Sequence, residues 1–345
     1  MPQINKPTDY FNTKLYSGTG SAQSITGVNF QPDLVWIKGR NNGNYHRWFD
    51  VVRGVPNYIG SNATDAEASD ATQFTSFDSD GFTLSTGGAT NGSGYTFASW
   101  NWLANGTGSS NTDGSITSTV SANTTSGFSI VSYTGTGANA TVGHGLGVAP
   151  KMVIIKRLET ADNWEAYHES LGNGTAIRLN LSDASFSTSG RWNNTSPTSS
   201  VFSLGTATVI NASGEDLIAY CFAGKKGFSK FGSYTGNGNN DGAFIYTGFK
   251  PAWVMIKRTN TSGEGWHIYD NKRNTFNLVT QILYANTNGA EGTGSAGGDV
   301  IDMLSQGFKC RGTHGAINGS GNTYIYMAFA ESPLVGTNNI PATAR

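Results

Sequence analysis

One phrase recurs three times in this chain, and the recurrence constrains the fold more than any other feature. "PDLVWIKGR" from Pro32, "PKMVIIKR" from Pro150 and "PAWVMIKR" from Pro251 each run from a proline through an apolar stretch to a lysine. A short apolar run bounded by breaker residues is the pattern of a strand buried on both faces. Recurrence in fixed order means a chain assembled from copies of one supersecondary unit.

The copies extend well beyond the phrase. Each opens on a tyrosine-glycine turn, "FNTKLYSGTG" with Tyr16, "FSIVSYTGTG" with Tyr133 and "FSKFGSYTGNG" with Tyr234, and reaches its proline about seventeen residues later. After the lysines, Lys38, Lys156 and Lys257, comes a tryptophan strand with Trp48, Trp164 or Trp266, followed by a second aromatic, Phe49, Tyr167 or Tyr269. An aromatic strand closes each copy: "YTFASWNWLA", "DLIAYCFA" and "NTYIYMAFA". The spans Tyr16–Ala104, Tyr133–Ala223 and Tyr234–Ala330 differ by only a few residues, as expected of units built to one plan.

Composition fixes the class. The chain holds 46 glycines, its connections are crowded with Asn, Ser and Thr, and alternating apolar runs outnumber any helical stripe. The prediction is an all-β protein of three tandem antiparallel β-sandwich domains, jelly-roll or lectin-like, each about 100 residues long. The expected boundaries are an N-terminal arm at 1–12, repeats at 13–106, 128–225 and 226–332, a Ser/Thr/Gly-rich linker at 107–127 and a C-terminal tail at 333–345. "DVIDMLSQG" is the one short helix expected, capped by Asp299 and ended by Gly307. Cys221 and Cys310 sit at non-equivalent places in apolar runs, which predicts two buried thiols and no disulfide.

Charge excludes one class of partner. Charged residues make up 13% of the chain, the net charge is -1 and the basic residues are scattered, so no nucleic-acid face is expected. No apolar run approaches the length of a membrane-spanning helix, and the start, "MPQINKPTDYFNTKL", has no signal-peptide core.

No catalytic or metal motif stands out in the sequence. His46, His144, His168, His267 and His314 show no ligand spacing, the acids form no dense strand, and no nucleophile elbow is present. Asp78 and Asp80 in "FDSDGF" have no counterpart in the other copies and read as a turn. The expectation is therefore no enzyme, no cofactor and no metal. Trp48, Trp164 and Trp266 are the candidate ligand-binding residues, as stacking platforms for a sugar, although an aromatic repeated at one place in every copy is better explained as core. The lysines at the strand ends are expected to reach solvent or a nearby carboxylate. Surface contact is expected from the loops "RNNGNYHR", "LETADN" and "NTSGEG".

Longer stretches, among them "ITGVNFQPDLVWIKGR", "WNWLANGTGSSNTDGSITSTVSANTTSGFSIVSYTGTG", "NNTSPTSSVFSLG" and the final "PATAR", give the chain a likeness over nearly its whole length. It resembles a family of repeat-built structural proteins of marine tailed bacteriophages, described as tail-fibre-like or virion structural proteins. The resemblance implies a non-enzymatic virion component, made in the host cytoplasm without a signal peptide and released by lysis. It would form a homo-oligomer, a trimer by analogy with phage fibres, with other virion proteins and a host-surface glycan as partners and host attachment through multivalent loops as its role. The alternatives are a capsid decoration protein and, from another class, a secreted carbohydrate-active enzyme or lectin.

Overall fold

The structure, a computed structural model, describes residues 2–295, 297–336 and 341–343. Its regular structure is almost all antiparallel strand, and each repeat contributes one main sheet and one small sheet, with a further two-stranded ladder, Asn57–Tyr58 against Ala68–Ser69, in the first. The first copy orders its main sheet as Phe11–Ser17, Thr96–Trp102, Leu34–Gly39 and Arg47–Asp50. In the third, Ser229–Thr235, Thr323–Pro333, Phe249–Arg258 and His267–Asp270 follow the same order, which continues into Gln281–Tyr284 and Gly292–Thr293. The second copy repeats the plan with Phe128–Thr134, Asp216–Phe222, Met152–Arg157 and Glu165–His168 at its centre.

The apolar phrase lies at the middle of each main sheet, and every residue of Leu34–Gly39 is buried. Its two faces have different neighbours. In the first copy Val35, Ile37, Phe49 and Phe97 pack on Ile25, Phe74, Phe82 and Leu84 of the small sheet. The alternate residues, Leu34, Trp36, Trp48, Trp100 and Trp102, turn the other way into a second core, which also takes Ile154, Trp164 and Tyr220 from copy two and Trp253, Trp266 and Phe329 from copy three. Of the chain's 8 tryptophans, all but Trp192 lie in this common core. Rings meet across copies, Trp48 on Trp164 at 5.1 Å and Phe11 on Phe329 at 4.8 Å between centroids.

The copies close on one another in a circuit. The backbone N–H of Glu67 donates to the Leu158 carbonyl at 2.7 Å, Ser185 to Thr259 at 2.9 Å and Glu291 to Arg40 at 2.6 Å, so one grips two, two grips three and three grips one. A second circuit runs the other way round: Trp164 Nε1–H donates to Gly60 O and Trp266 Nε1–H to Arg178 O, both at 2.9 Å, while His46 Nε2 lies 3.0 Å from Tyr284 O. Trp36 Nε1–H donates to His46 Nδ1 at 2.7 Å, so Nε2 is the nitrogen that carries the imidazole proton. The three sandwiches are thus arranged with pseudo-threefold symmetry about a shared core, rather than strung out as separate beads.

This circuit corrects the alignment of the tryptophans. Strand register pairs Ile37 with Arg47, Ile155 with Glu165 and Ile256 with His267, which puts His46, not Trp48, in the place of Trp164 and Trp266. The backbone agrees, because the N–H groups of His46, Trp164 and Trp266 donate to the side-chain oxygens of Asn62, Asn180 and Asn286. Trp48 occupies the position held by Ala166 and Ile268 in the other copies.

The tyrosine-glycine turn is a docking device. The hydroxyls of Tyr16, Tyr133 and Tyr234 donate to the carbonyls of Thr90, Ile210 and Ile317, each at 2.7 Å. The next residue in each case is a fully buried asparagine, Asn91, Asn211 or Asn318, whose side chain bonds the turn backbone. A Cβ on the first glycine of the turn, Gly18, Gly135 or Gly236, would lie within 2.4 Å of a backbone oxygen, which excludes any other residue there.

Three further expectations differ from the structure. The segment at 107–127 is no linker: Ser109–Asn111 and Ser118–Asn123 extend the second main sheet, because alternate residues Ser118 and Val120 find a buried face. "DVIDMLSQG" is no helix: Ile301–Leu304 and Gly307–Cys310 form a hairpin, with Ile301 and Met303 buried by period two. The N-terminal arm is docked, with Ile4 in the common core and Phe11 already in the sheet. The tail at 333–345 lies partly outside the described residues.

A sheet whose second face is covered only by its neighbours has no stable existence alone. The whole chain should unfold in one cooperative transition, with calorimetric and van't Hoff enthalpies equal. Separate transitions for the three copies in a scanning calorimeter would contradict this.

Candidate functional site

The tryptophans proposed as sugar platforms are closed to any ligand. Trp48, Trp164 and Trp266 are each no more than 1% exposed, and their indoles face the common core, so packing overrides the stacking role.

The lysines differ from expectation too. Lys38, Lys156 and Lys257 are fully buried and meet no carboxylate among the described residues. Lys156 Nζ donates to Arg157 O and across to Thr64 O, and Lys257 Nζ to Glu264 O and across to Ser182 O. Lys38 Nζ stays within its copy, on Gly39 O and Asn42 O. Backbone carbonyls at the junctions accept these protons, and burial pushes each ammonium down to about 8.

Ion pairs reinforce two of the junctions. Arg53 and Asp50 meet at 2.5 Å, as do Arg273 and Asp270, all of them buried. Asp50 also accepts from the Tyr220 hydroxyl of copy two, and Asp270 from Trp100 Nε1–H of copy one. His168 holds the corresponding place in copy two, with Nε2 3.3 Å from Tyr326 O of copy three. These residues hold the body together.

The loops expected to make contacts are divided in use. Their flanks clamp the neighbouring copy, through Asp162 N–H to Thr64 O at 2.8 Å and Gly263 N–H to Ser182 O at 3.0 Å. Their tips remain exposed, at Asn41, Gly43 and Tyr45, at Glu159, Thr160 and Ala161, and at Asn260, Thr261 and Ser262. Asp80 accepts the backbone N–H groups of Gly27 and Asn29, and Asp78 bonds Ser76 and Thr83, which is turn chemistry. Among the described residues no three His, Cys, Asp or Glu side chains converge as a metal site requires. Cys221 and Cys310 are buried free thiols, and burial raises the Cys310 thiol to about 12.

One open site departs from the symmetry. A cleft of about 560 Å3 lies in copy three against copy two, lined by Ser182, Glu264, His267, Tyr284, Asp299 and His314 among others. His267, buried in the wall, sets Nε2 3.4 Å from Asp299 Oδ2 and Nδ1 3.1 Å from Gly265 O. This contact holds the Asp299 carboxyl below the usual carboxylate range. Tyr284 meets the His267 ring edge-on at 4.7 Å, and burial raises its phenol to about 12.

The sequence matches a family described as a domain of unknown function (DUF7483) over residues 6–333. The chain belongs to this family. Neither the curated proteins nor the solved structures contain a match to it. The family match spans all three copies, in keeping with a body that closes only when all three are present.

Sequence reading missed the cleft because His267, Tyr284 and Asp299 are spread over three strands and loops of one copy. A signal was available in the spacing: the tryptophan stands directly before its second aromatic in "WFD", but three residues before it in "WEAYH" and "WHIYD". Aligned on that second aromatic, Phe49, Tyr167 and Tyr269, the copies place Arg47, Glu165 and His267 at one position.

The buried lysines make stability depend on pH. Their folded values lie below the unfolded one, so between about pH 8 and 10 the unfolded chain holds protons that the folded chain lacks, and stability rises with pH on the order of 1 kcal/mol per unit for each lysine. Above about 10 the buried tyrosines, raised by burial, reverse the trend. Urea unfolding at pH 7.5 and 9.5 should show the rise, and Lys156→Met should remove about a third of it. A flat profile would refute the burial of these ammonium groups.

Replacing Asp50 by alanine strands the Tyr220 hydroxyl and the Arg53 Nε–H, leaving the guanidinium only Glu67 and the Trp48 carbonyl. The expected loss is about 3–5 kcal/mol in urea unfolding.

Proposed function

We propose that this chain is a non-enzymatic virion surface protein of a tailed phage, tail-fibre-like, which contributes to host attachment through several weak contacts. The observation that carries the reading is the division of each hairpin loop. Its flanks are spent on closing the circuit, while its tip is left exposed at an equivalent place in every copy. One rigid body thereby presents three different loop tips in fixed relation. Contacts made by the second and third tips then form at high effective concentration, without a deep pocket in any copy.

The chemistry of the interior supports a role without catalysis. The buried lysines Lys38, Lys156 and Lys257 donate to backbone carbonyls. In the cleft of copy three Asp299 is held ionised by His267, the opposite of the raised value that a glycosidase proton donor needs. A trimer of such chains, bound to other virion proteins at its base, is the assembly that the likeness to phage fibres suggests. Synthesis in the host cytoplasm and release by lysis belong to the same reading.

Capsid decoration is the second reading, favoured by the pseudo-threefold arrangement, which suits a seat on a threefold position of a shell. Cryo-electron microscopy of purified virions separates the two. A few copies at the tail tip are expected; hundreds on the head would establish decoration, and absence from the particle would overturn both.

A further inference from the structure

The three copies treat one position differently, and only the third leaves it open. In copy one the Arg47 guanidinium lies over the Tyr58 ring at 4.5 Å and fills the space beside the main sheet. In copy two Glu165 is met by Arg178 and Arg191, both stacked on the Phe186 ring, at 4.7 and 5.3 Å. Copy three has His267 there, and the residue paired with Ile282 is Gly292, where Phe186 pairs with Ala176 in copy two. Among the described residues no ring stands in the place of Phe186 and no arginine pairs with His267, and a cleft of about 560 Å3 opens there.

The walls define what fits. Glu264 is half-buried and 3.9 Å from Arg258, and Asp299 is an ionised acceptor beside His267. Tyr284 is half-buried, and its hydroxyl meets no partner among the described residues. His314 stands exposed at the rim. The carboxylates accept hydrogen bonds from a ligand's hydroxyls, His314, whose Nδ1 accepts from the Ala316 N–H, offers Nε2–H as a donor, and the tyrosine ring gives an apolar face. The excess of carboxylates along the wall disfavours an anion. We propose that this cleft is a binding site for a neutral saccharide, one per chain, resting on the attachment reading and giving it a receptor chemistry.

The test uses the full chain and a panel of neutral hexose and N-acetylhexosamine di- and trisaccharides, with a sialylated trisaccharide alongside, read by saturation-transfer NMR and calorimetry. At least one neutral sugar should bind and the sialylated one should not. Glu264→Gln should weaken binding about tenfold, the loss expected for one hydrogen bond to a charged group. Gly292→Phe supplies the ring that copy two carries and should abolish binding; its added Cβ has space, the nearest atom being Ile282 O at 4.0 Å. Unchanged melting temperatures would show both variants to be folded; a Gly292→Phe protein that does not fold leaves Glu264→Gln to decide. Binding by no neutral sugar, or binding that survives Glu264→Gln at full strength, overturns the proposal. Adsorption of the same proteins to host cells keeps the two readings apart. Adsorption that persists without saccharide binding leaves attachment standing and removes the cleft, whereas loss of both removes attachment as well.

Discussion

The structure depends on burying the second face of each main sheet. A two-layer sandwich ordinarily leaves the outer face of one sheet to water and fills it with polar residues. Here that face carries Trp36, Trp48, Trp100 and Trp102 in copy one and their counterparts in the others, so water on it would be costly and only two further sheets can cover it. Cross-copy hydrogen bonds then satisfy part of the polar surface that such coverage buries, the indole N–H of Trp164 and Trp266, the imidazole of His46 and the ammonium groups of Lys156 and Lys257, while the indole N–H groups of Trp48, Trp102 and Trp253 find no partner among the described residues. Hydrophobic burial supplies the drive, and these bonds fix how the copies are rotated and in what order they meet.

Much of the fold was legible in the chain, for identifiable reasons. The apolar phrase announces a strand covered on both sides, and the tyrosine-glycine turn marks where each copy begins. Both signals are local and repeated. What covers the second face is not local: nothing in "PDLVWIK" says whether Trp36 meets a helix, a partner chain or another copy. Hence sandwiches in tandem were expected, and a closed circuit was found.

The errors of detail share that origin. "DVIDMLSQG" has a cap and a stop for a helix, yet the small sheet offers Ile301 and Met303 a buried face at period two, and tertiary packing decides. Ser109–Asn111 and Ser118–Asn123 have the composition of a linker and are added as strands beside Phe128–Thr134, with Ser109–Asn111 outermost. The candidate cleft was harder still, since its chemistry arises from what is missing, a glycine at 292 where another copy has phenylalanine.

Covalent fusion of the copies has a consequence for how such a protein can change. In a ring of three identical chains, any substitution appears three times, so a pocket opened at one junction is opened at all of them and the stability lost is tripled. Within one chain, Arg47, Glu165 and His267 occupy the same place and were free to diverge. Two junctions can be kept filled for strength while the third is free to vary, so one corner of the body can change without loosening the whole.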